Sequence, residues 1–211
     1  MVKIPVPGQG NPPHDLIHHR LPSGTRLFRI FNPNDHGASA TGFRYHGPHS
    51  RFDHHRGHGP PEHLSASDPE RGVYYAAFSL AGCIVEVFGD LGSIVFGDYH
   101  VAKPEAIRDL TLLDLRREGA MRAGSVAALA KIADRSLSQA WSRHFYDHPE
   151  IFGTIDGIVY FNAHNDDEAI VLFERAAGAL VCPPERVLRL DDSNLRTVEE
   201  DIAWRNNLVI L

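Results

Sequence analysis

Cysteine is scarce in this 211-residue chain: Cys83 and Cys182 lie far apart and no CxxC pair occurs. That excludes a disulfide framework and a cysteine-based zinc site. Each thiol has apolar neighbours and is expected to be buried and free. No apolar run reaches membrane-spanning length, and the N-terminal MVKIPVPGQGNPPHDL lacks the apolar core of a secretory signal. A cytoplasmic protein without a membrane partner is therefore expected. Excess positive charge is missing too. The 21 Lys and Arg against 27 Asp and Glu leave a formal net charge of −6, so direct nucleic-acid binding, which needs a dense basic surface, is not expected. GxSxG, Walker A and GxGxxG patterns are absent, which removes motif support for serine hydrolase, P-loop and Rossmann chemistry.

What is present is ordinary in bulk, with 43% hydrophobic and 23% charged residues, and sufficient for one well-cored domain. Residues 1–25, rich in Pro, Gly and His, read as an extended arm, and 26–211 as one domain. RLFRIF at 26–31 predicts a short strand stopped by the Asn32-Pro33-Asn34-Asp35 turn. Residues 36–71 show no periodicity and predict a long ordered loop. Residues 72–78 predict a strand, and Ser79 an N-cap for a helix reaching Phe88, with Gly89 ending it. Further strands are expected at 94–96, 99–101, 110–115, 157–161 and 169–174. Another, expected to be central, lies at 187–190, and helices are expected at 122–131, 137–146 and 195–203. Short strands mixed irregularly with helices predict an α+β fold, a compact mixed sheet with flanking helices.

The most informative stretch is GVYYAAFSLAGCIVEVFGD at 72–90, which sets Glu86 inside an apolar run after the aromatic strand of Tyr75. A glutamate is seldom buried without a partner. Alternation in RLFRIF places Arg29 on one face with Leu27 and Phe31. Arg51 sits in SRFDHHRG, and an arginine fork suits a diphosphate or carboxylate. One reading makes Arg29, Arg51, Tyr75 and Glu86 parts of an active site; the other pairs Glu86 with an arginine in a structural ion pair. His46, His49, His54, His55, His58 and His63, with Asp53 among them, have metal-ligand chemistry but fit no ligand-spacing motif. Ser136 or Ser138 can cap the helix that carries Trp141, and the same helix start can hold an oxyanion. YFNAHN, with Asn162, closes a strand where polar groups commonly line a pocket.

In order, FRIF with Arg29, SRF with Arg51, the Tyr75–Glu86 strand–helix unit, the 136–141 segment and DGIVYFNAHN followed by AIVLFE resemble the RES domain family. The resemblance covers residues 26 to about 175. It implies a fold similar to ADP-ribosyltransferase toxins and degradation of NAD+ by phosphorolysis or hydrolysis. NAD+ would then be a substrate, with inorganic phosphate a possible co-substrate and no prosthetic group. It also implies a toxin role opposite an Xre-type antitoxin, and a homodimer. Arg29, Tyr75, Glu86 and Ser136 would line the NAD+ pocket, with Arg51 and Asn162 as further contacts. Two segments depart from the family pattern: HSRFDHH replaces a GGRW-like motif, and YFNAHN a serine- or arginine-bearing strand end. ADP-ribosyl transfer to a protein and a catalytically inactive NAD-binding module are the alternatives, with a histidine-loop metalloenzyme behind them.

Overall fold

The computed structural model describes residues 2–56 and 67–211. His58 and His63 lie outside the described residues. Two strands of nearly unbroken apolar character form the centre, β8 (Gly157–Phe161) and β9 (Glu168–Phe173). Strands that read apolar at every position are buried on both faces, and these are. Ile158, Tyr160, Ala169, Val171 and Phe173 join one core, while Val159, Ile170 and Leu172 join a second on the opposite face.

Around them stands a five-stranded mixed sheet in the order β1-β7-β8-β9-β3, built from β1 (His18–Leu21), β3 (Val73–Ala77) and β7 (Leu110–Asp114). Only the β7–β8 pair is parallel in it. The expected N-terminal arm thus supplies an edge strand, and the Pro5 carbonyl also accepts a 2.8 Å bond from Trp141 Nε1. A second sheet, of β2 (Arg29–Phe31), β5 (His100–Ala102) and β11 (Val187–Arg189), runs β11-β5-β2. The segment predicted to be a last central strand is therefore an edge strand. Two small pairs complete the pairing. β6 (Glu105–Ala106) joins β10 (Leu180–Val181), and β4 (Ser93–Ile94) joins β12 (Val209–Ile210).

The helices are α1 (Leu80–Phe88), α2 (Glu118–Arg122), α3 (Arg135–Asp147), α4 (Pro149–Phe152) and α5 (Arg196–Arg205). Ser79 caps α1 as expected, accepting from the Gly82 amide at 2.8 Å and donating to Asp167. The helix ends at Phe88 with Gly89 as its C-cap, as expected, but Gly89 is not the left-handed turn and opens a 3-10 turn, Gly89–Leu91. It keeps helical angles (φ −58°, ψ −41°), and the left-handed turn comes at Gly92, φ 65°. The helix predicted over 122–131 divides into α2 and a separate 3-10 turn, Ala127–Lys131.

The outer edge of β3 creates the site. It is bridged at one end by Phe28 with Ala77 and at the other by Arg44 with Val73. Between these bridges the neighbouring segments part, and the edge stays open at Tyr75.

Candidate active site

Arg29 fills that opening. Its Nη1 donates to the Tyr75 carbonyl at 3.0 Å and its Nε to the Ser39 carbonyl at 3.1 Å, while the guanidinium lies 4.3 Å over the Tyr74 ring. The residue is only 9% exposed, and burial lowers its pKa. Among the described residues, no carboxylate pairs with it.

Period-two alternation turns Tyr75 to the same face as Tyr160, toward α1. Tyr75 lines three adjoining cavities. The small one, about 60 Å³, is bounded by Arg29, Glu86, Cys83 and Tyr160. A cavity of about 200 Å³ opens from Glu86 toward Arg51, Asp90, Arg135 and His164. On the other side of Tyr75 and Arg29 lies one of about 420 Å³, with Phe31, Tyr45, His36 and Tyr99 in its wall.

Glu86 projects from the flank of α1, whose buried face is Cys83, Ile84, Val85 and Phe88. Half-buried, it forms no ion pair among the described residues, so the structural ion pair with an arginine is not what the fold builds. Burial raises its pKa; Arg51, then His164, pull in the opposite direction from beyond ion-pair distance. The Tyr160 hydroxyl lies close enough to favour the ionised carboxylate. That hydroxyl is buried and makes no hydrogen bond of normal geometry. Glu86 is thus a poorly solvated acid in a cavity wall that also holds Arg51, Arg135 and a second carboxylate, Asp90.

Arg51 rides on a turn built around Asp53. Its Nη1 donates to the Ile132 carbonyl, and it makes no ion pair among the described residues. Next to it, Phe52 is fully buried, its ring 4.8 Å from that of Tyr160. Burying such a ring contributes about 1.5–3 kcal/mol to holding the turn against the sheet.

Two predicted site residues fall elsewhere. Ser136 is exposed and lines none of these cavities; its hydroxyl donates to Asp134 Oδ1 at 2.5 Å. Asp134 is the cap of α3, accepting from the Ser136 amide at 3.0 Å, because the preceding carboxylate reaches the free amide before either serine does. Ser138 turns inward and donates to the Arg135 carbonyl. Asn162 is fully buried and spent on its own turn. Its Oδ1 accepts from the amides of His164 and Asn165, both at 2.9 Å, and its Nδ2 donates to Asn165. The turn it shapes delivers His164 to the cavity instead, with Nε2 3.7 Å from Asp90. The strand-end segment YFNAHN does reach the pocket, as expected, but through Tyr160 and His164 rather than Asn162. At the start of α3 it is Arg135, not Ser136, that lines the cavity, and Asp90 is a wall residue that the sequence reading did not single out.

Two histidines of the loop, His54 and His55, are structural, while His46 lines the cavity of about 420 Å³ with His49 Nε2 3.0 Å from its Nδ1. His54 Nε2 lies 2.9 Å from Glu174, His55 Nε2 3.3 Å from the Arg44 carbonyl, and both residues are fully buried. Burial lowers both pKa values, His55 to about 4, which keeps the rings neutral. Among the described residues no group of three His, Cys, Asp or Glu is arranged to hold a metal. No described helix is long and apolar enough to cross a membrane.

Comparison with known proteins adds three findings. The model of the RES domain matches residues 26–193. "Probable toxin y4kH" of Sinorhizobium fredii (strain NBRC 101917 / NGR234) is 32% identical over 93 residues, 42% of this chain and 71% of that protein. Among solved structures, a chain of the M. tuberculosis MbcT-MbcA toxin-antitoxin complex superposes with a TM-score of 0.57 at 16% identity. The match covers 86% of this chain and 92% of that one. At that identity the likeness concerns the fold, which is the mixed α+β architecture expected.

Proposed function

The chain belongs to the RES domain family, and from that premise we propose that it is a toxin that destroys NAD+, splitting the nicotinamide–ribose bond with inorganic phosphate as acceptor. The observation that carries this reading is Glu86, an acid without an ion pair among the described residues and raised in pKa by burial. It lies at the junction of two cavities that also hold Arg29, Arg51 and Arg135, with Asp90 as the one other carboxylate in their described lining.

The chemistry follows from the bond to be broken. As the C–N bond lengthens, its electron pair passes to the nicotinamide nitrogen and positive charge builds on ribose C1 and the ring oxygen. A carboxylate in a poorly solvated pocket stabilises that charge strongly. Nicotinamide leaves neutral, so no general acid is needed. A phosphate oxygen then bonds to C1, giving ADP-ribose phosphate; with water instead, ADP-ribose forms and a proton is released. Arg51 and Arg135 favour phosphate, because they bring guanidinium donors to the cavity that Glu86 lines, with the His164 ring beside them and Asp90 offsetting Arg135 from 3.7 Å. Arg29 holds the strand edge beside the site, with guanidinium hydrogens left for a diphosphate. The Tyr75 ring offers a face to the nicotinamide. Kinship with a probable toxin, and the likeness to a toxin–antitoxin complex, support a toxin held in check by a cognate antitoxin.

The test is product analysis of NAD+ incubated with pure protein, with and without phosphate. Release of nicotinamide with a phosphorylated ADP-ribose is expected. Glu86→Gln should lower turnover by roughly 10²–10³-fold or more, the scale for losing one group that stabilises transition-state charge, while circular dichroism stays unchanged. No nicotinamide from the wild type, or full activity in the variant, overturns the proposal.

A further inference from the structure

Asp53 is a fully buried carboxylate to which the reaction scheme above gives no role. It collects donors from three directions. Arg44 Nη2 reaches both oxygens, at 2.8 and 2.7 Å. The amides of His49 and Ser50 donate to Oδ2 at 2.6 and 3.0 Å. The Tyr75 hydroxyl donates to Oδ1 at 2.9 Å and itself accepts from the Phe52 amide at 3.0 Å. One side chain therefore ties the turn that bears Arg51 to the ring shared by all three cavities.

The arrangement also settles which arginine neutralises the buried charge. Arg51 is two positions from Asp53 in sequence, yet Arg44 occupies the carboxylate, and its oxygens are saturated. Among the described residues Arg51 is left with the Ile132 carbonyl alone as a hydrogen-bond partner, and it lines the cavity. From the other side α3 braces the same turn: Ser142 donates to the Phe52 carbonyl at 2.7 Å and Gln139 to the Ser50 carbonyl at 3.1 Å.

We propose that Asp53 is a positioning residue for the cleavage reaction: its carboxylate holds the Tyr75 ring and the Arg51 turn in one register, and Arg44 keeps Arg51 free for the anionic substrate. The inference rests on the NAD+ reading for the reaction it serves, and on the hydrogen-bond geometry alone for the coupling.

The test compares the wild type with Asp53→Asn, Tyr75→Phe and Arg51→Ala, and with the Asp53→Asn/Arg51→Ala double variant. Steady-state kinetics and amide hydrogen exchange are measured on each. Tyr75→Phe keeps the ring and is the milder change if Asp53→Asn folds poorly. Exchange should quicken at Phe52 in Tyr75→Phe, and at His49, Ser50 and Phe52 in Asp53→Asn, with β8 and β9 still protected. In Asp53→Asn, kcat/KM for NAD+ should fall by roughly tenfold to a hundredfold, the scale for misplacing a catalytic group by about an ångström. Most of that loss should already be present in Arg51→Ala. Unchanged exchange at these amides, or losses that multiply in full in the double variant, overturns the inference. A wild type inert toward NAD+ overturns the proposed function instead, and the exchange measurements still decide whether Asp53 couples the turn to the ring.

Discussion

Replacing Glu199 should make the protein more stable, increasingly so as pH rises. Glu199 lies on α5, is fully buried beside Ile202 and Ala203, and neither of its carboxylate oxygens has a hydrogen-bond partner among the described residues. Burial raises its pKa to about 7 from the ordinary 4.5; Arg196 opposes this, and Asp191, Asp192 and Glu200 add to it. The sign follows from linkage. Because the folded value is the higher one, the favourable contribution is complete below about pH 4.5 and is lost as pH climbs through 7. Above that, the folded state carries the cost of burying the charge, roughly 3 kcal/mol at 1.36 kcal/mol per pH unit between the two values. Glu199→Met, similar in volume and apolar, removes that cost. Urea unfolding at pH 8 should show a gain of about 2–3 kcal/mol, and thermal unfolding a midpoint roughly 4–12 °C higher for a chain of this size. At pH 5 most of the gain should be gone. An equal gain at both pH values, or a loss at pH 8, would refute the reasoning, since neither can come from an uncompensated buried charge.

Further expectations concern the site. Turnover should rise with pH along a limb lying above the ordinary carboxylate range, because Glu86 must ionise to act and burial raises its pKa. Arg51→Met should push that limb higher still, as Arg51 is the main group pulling the value down; a pH–rate profile with an unmoved limb would count against the assignment. Gly89→Ala tests His164, whose ring atoms would lie 2.6–2.7 Å from the added Cβ. Here the backbone is helical, so alanine gains up to about 1 kcal/mol of helix propensity that offsets part of the crowding. The crowded ring, which is exposed, is expected to turn out of the cavity. Stability within about 1 kcal/mol of wild type with a higher KM for phosphate is expected; an unchanged KM would remove His164 from the phosphate site.

Much of the scaffold was legible because its strongest elements carry their own periodicity. GIVYF and AIVLF read as strands from their short, β-branched apolar runs, and SLAGCIVEVF announced both its cap and its misplaced acid. Arg29, Tyr75 and Glu86 were readable for that reason: each is a polar or aromatic interruption of an apolar pattern. The weak points were competitions between short-range hydrogen bonds. Asp134 took the cap that Ser136 could have filled, and Asn162 folded back on its own turn, as asparagine readily does. HHRL at 18–21 was missed as a strand because an edge strand with one wet face has little apolar signal. The loop after residue 36 has no local pattern at all. What shapes its first half is Asp53, gripped by Arg44 of the same loop and by Tyr75 of β3, a pairing that no local pattern announces.

The strand His18–Leu21 and the pair β4–β12 have a practical meaning for anyone who cuts or grafts this module. The family match spans 26–193, but the hydrogen-bonded unit is wider at both ends. A piece trimmed to the matched residues would leave β7, with Leu110 and Leu112, bare along one side, and β4 without its companion. Open strand borders of that kind recruit other chains. Such a fragment is expected to come out of expression as aggregate, and an inactive preparation of it would say nothing about catalysis.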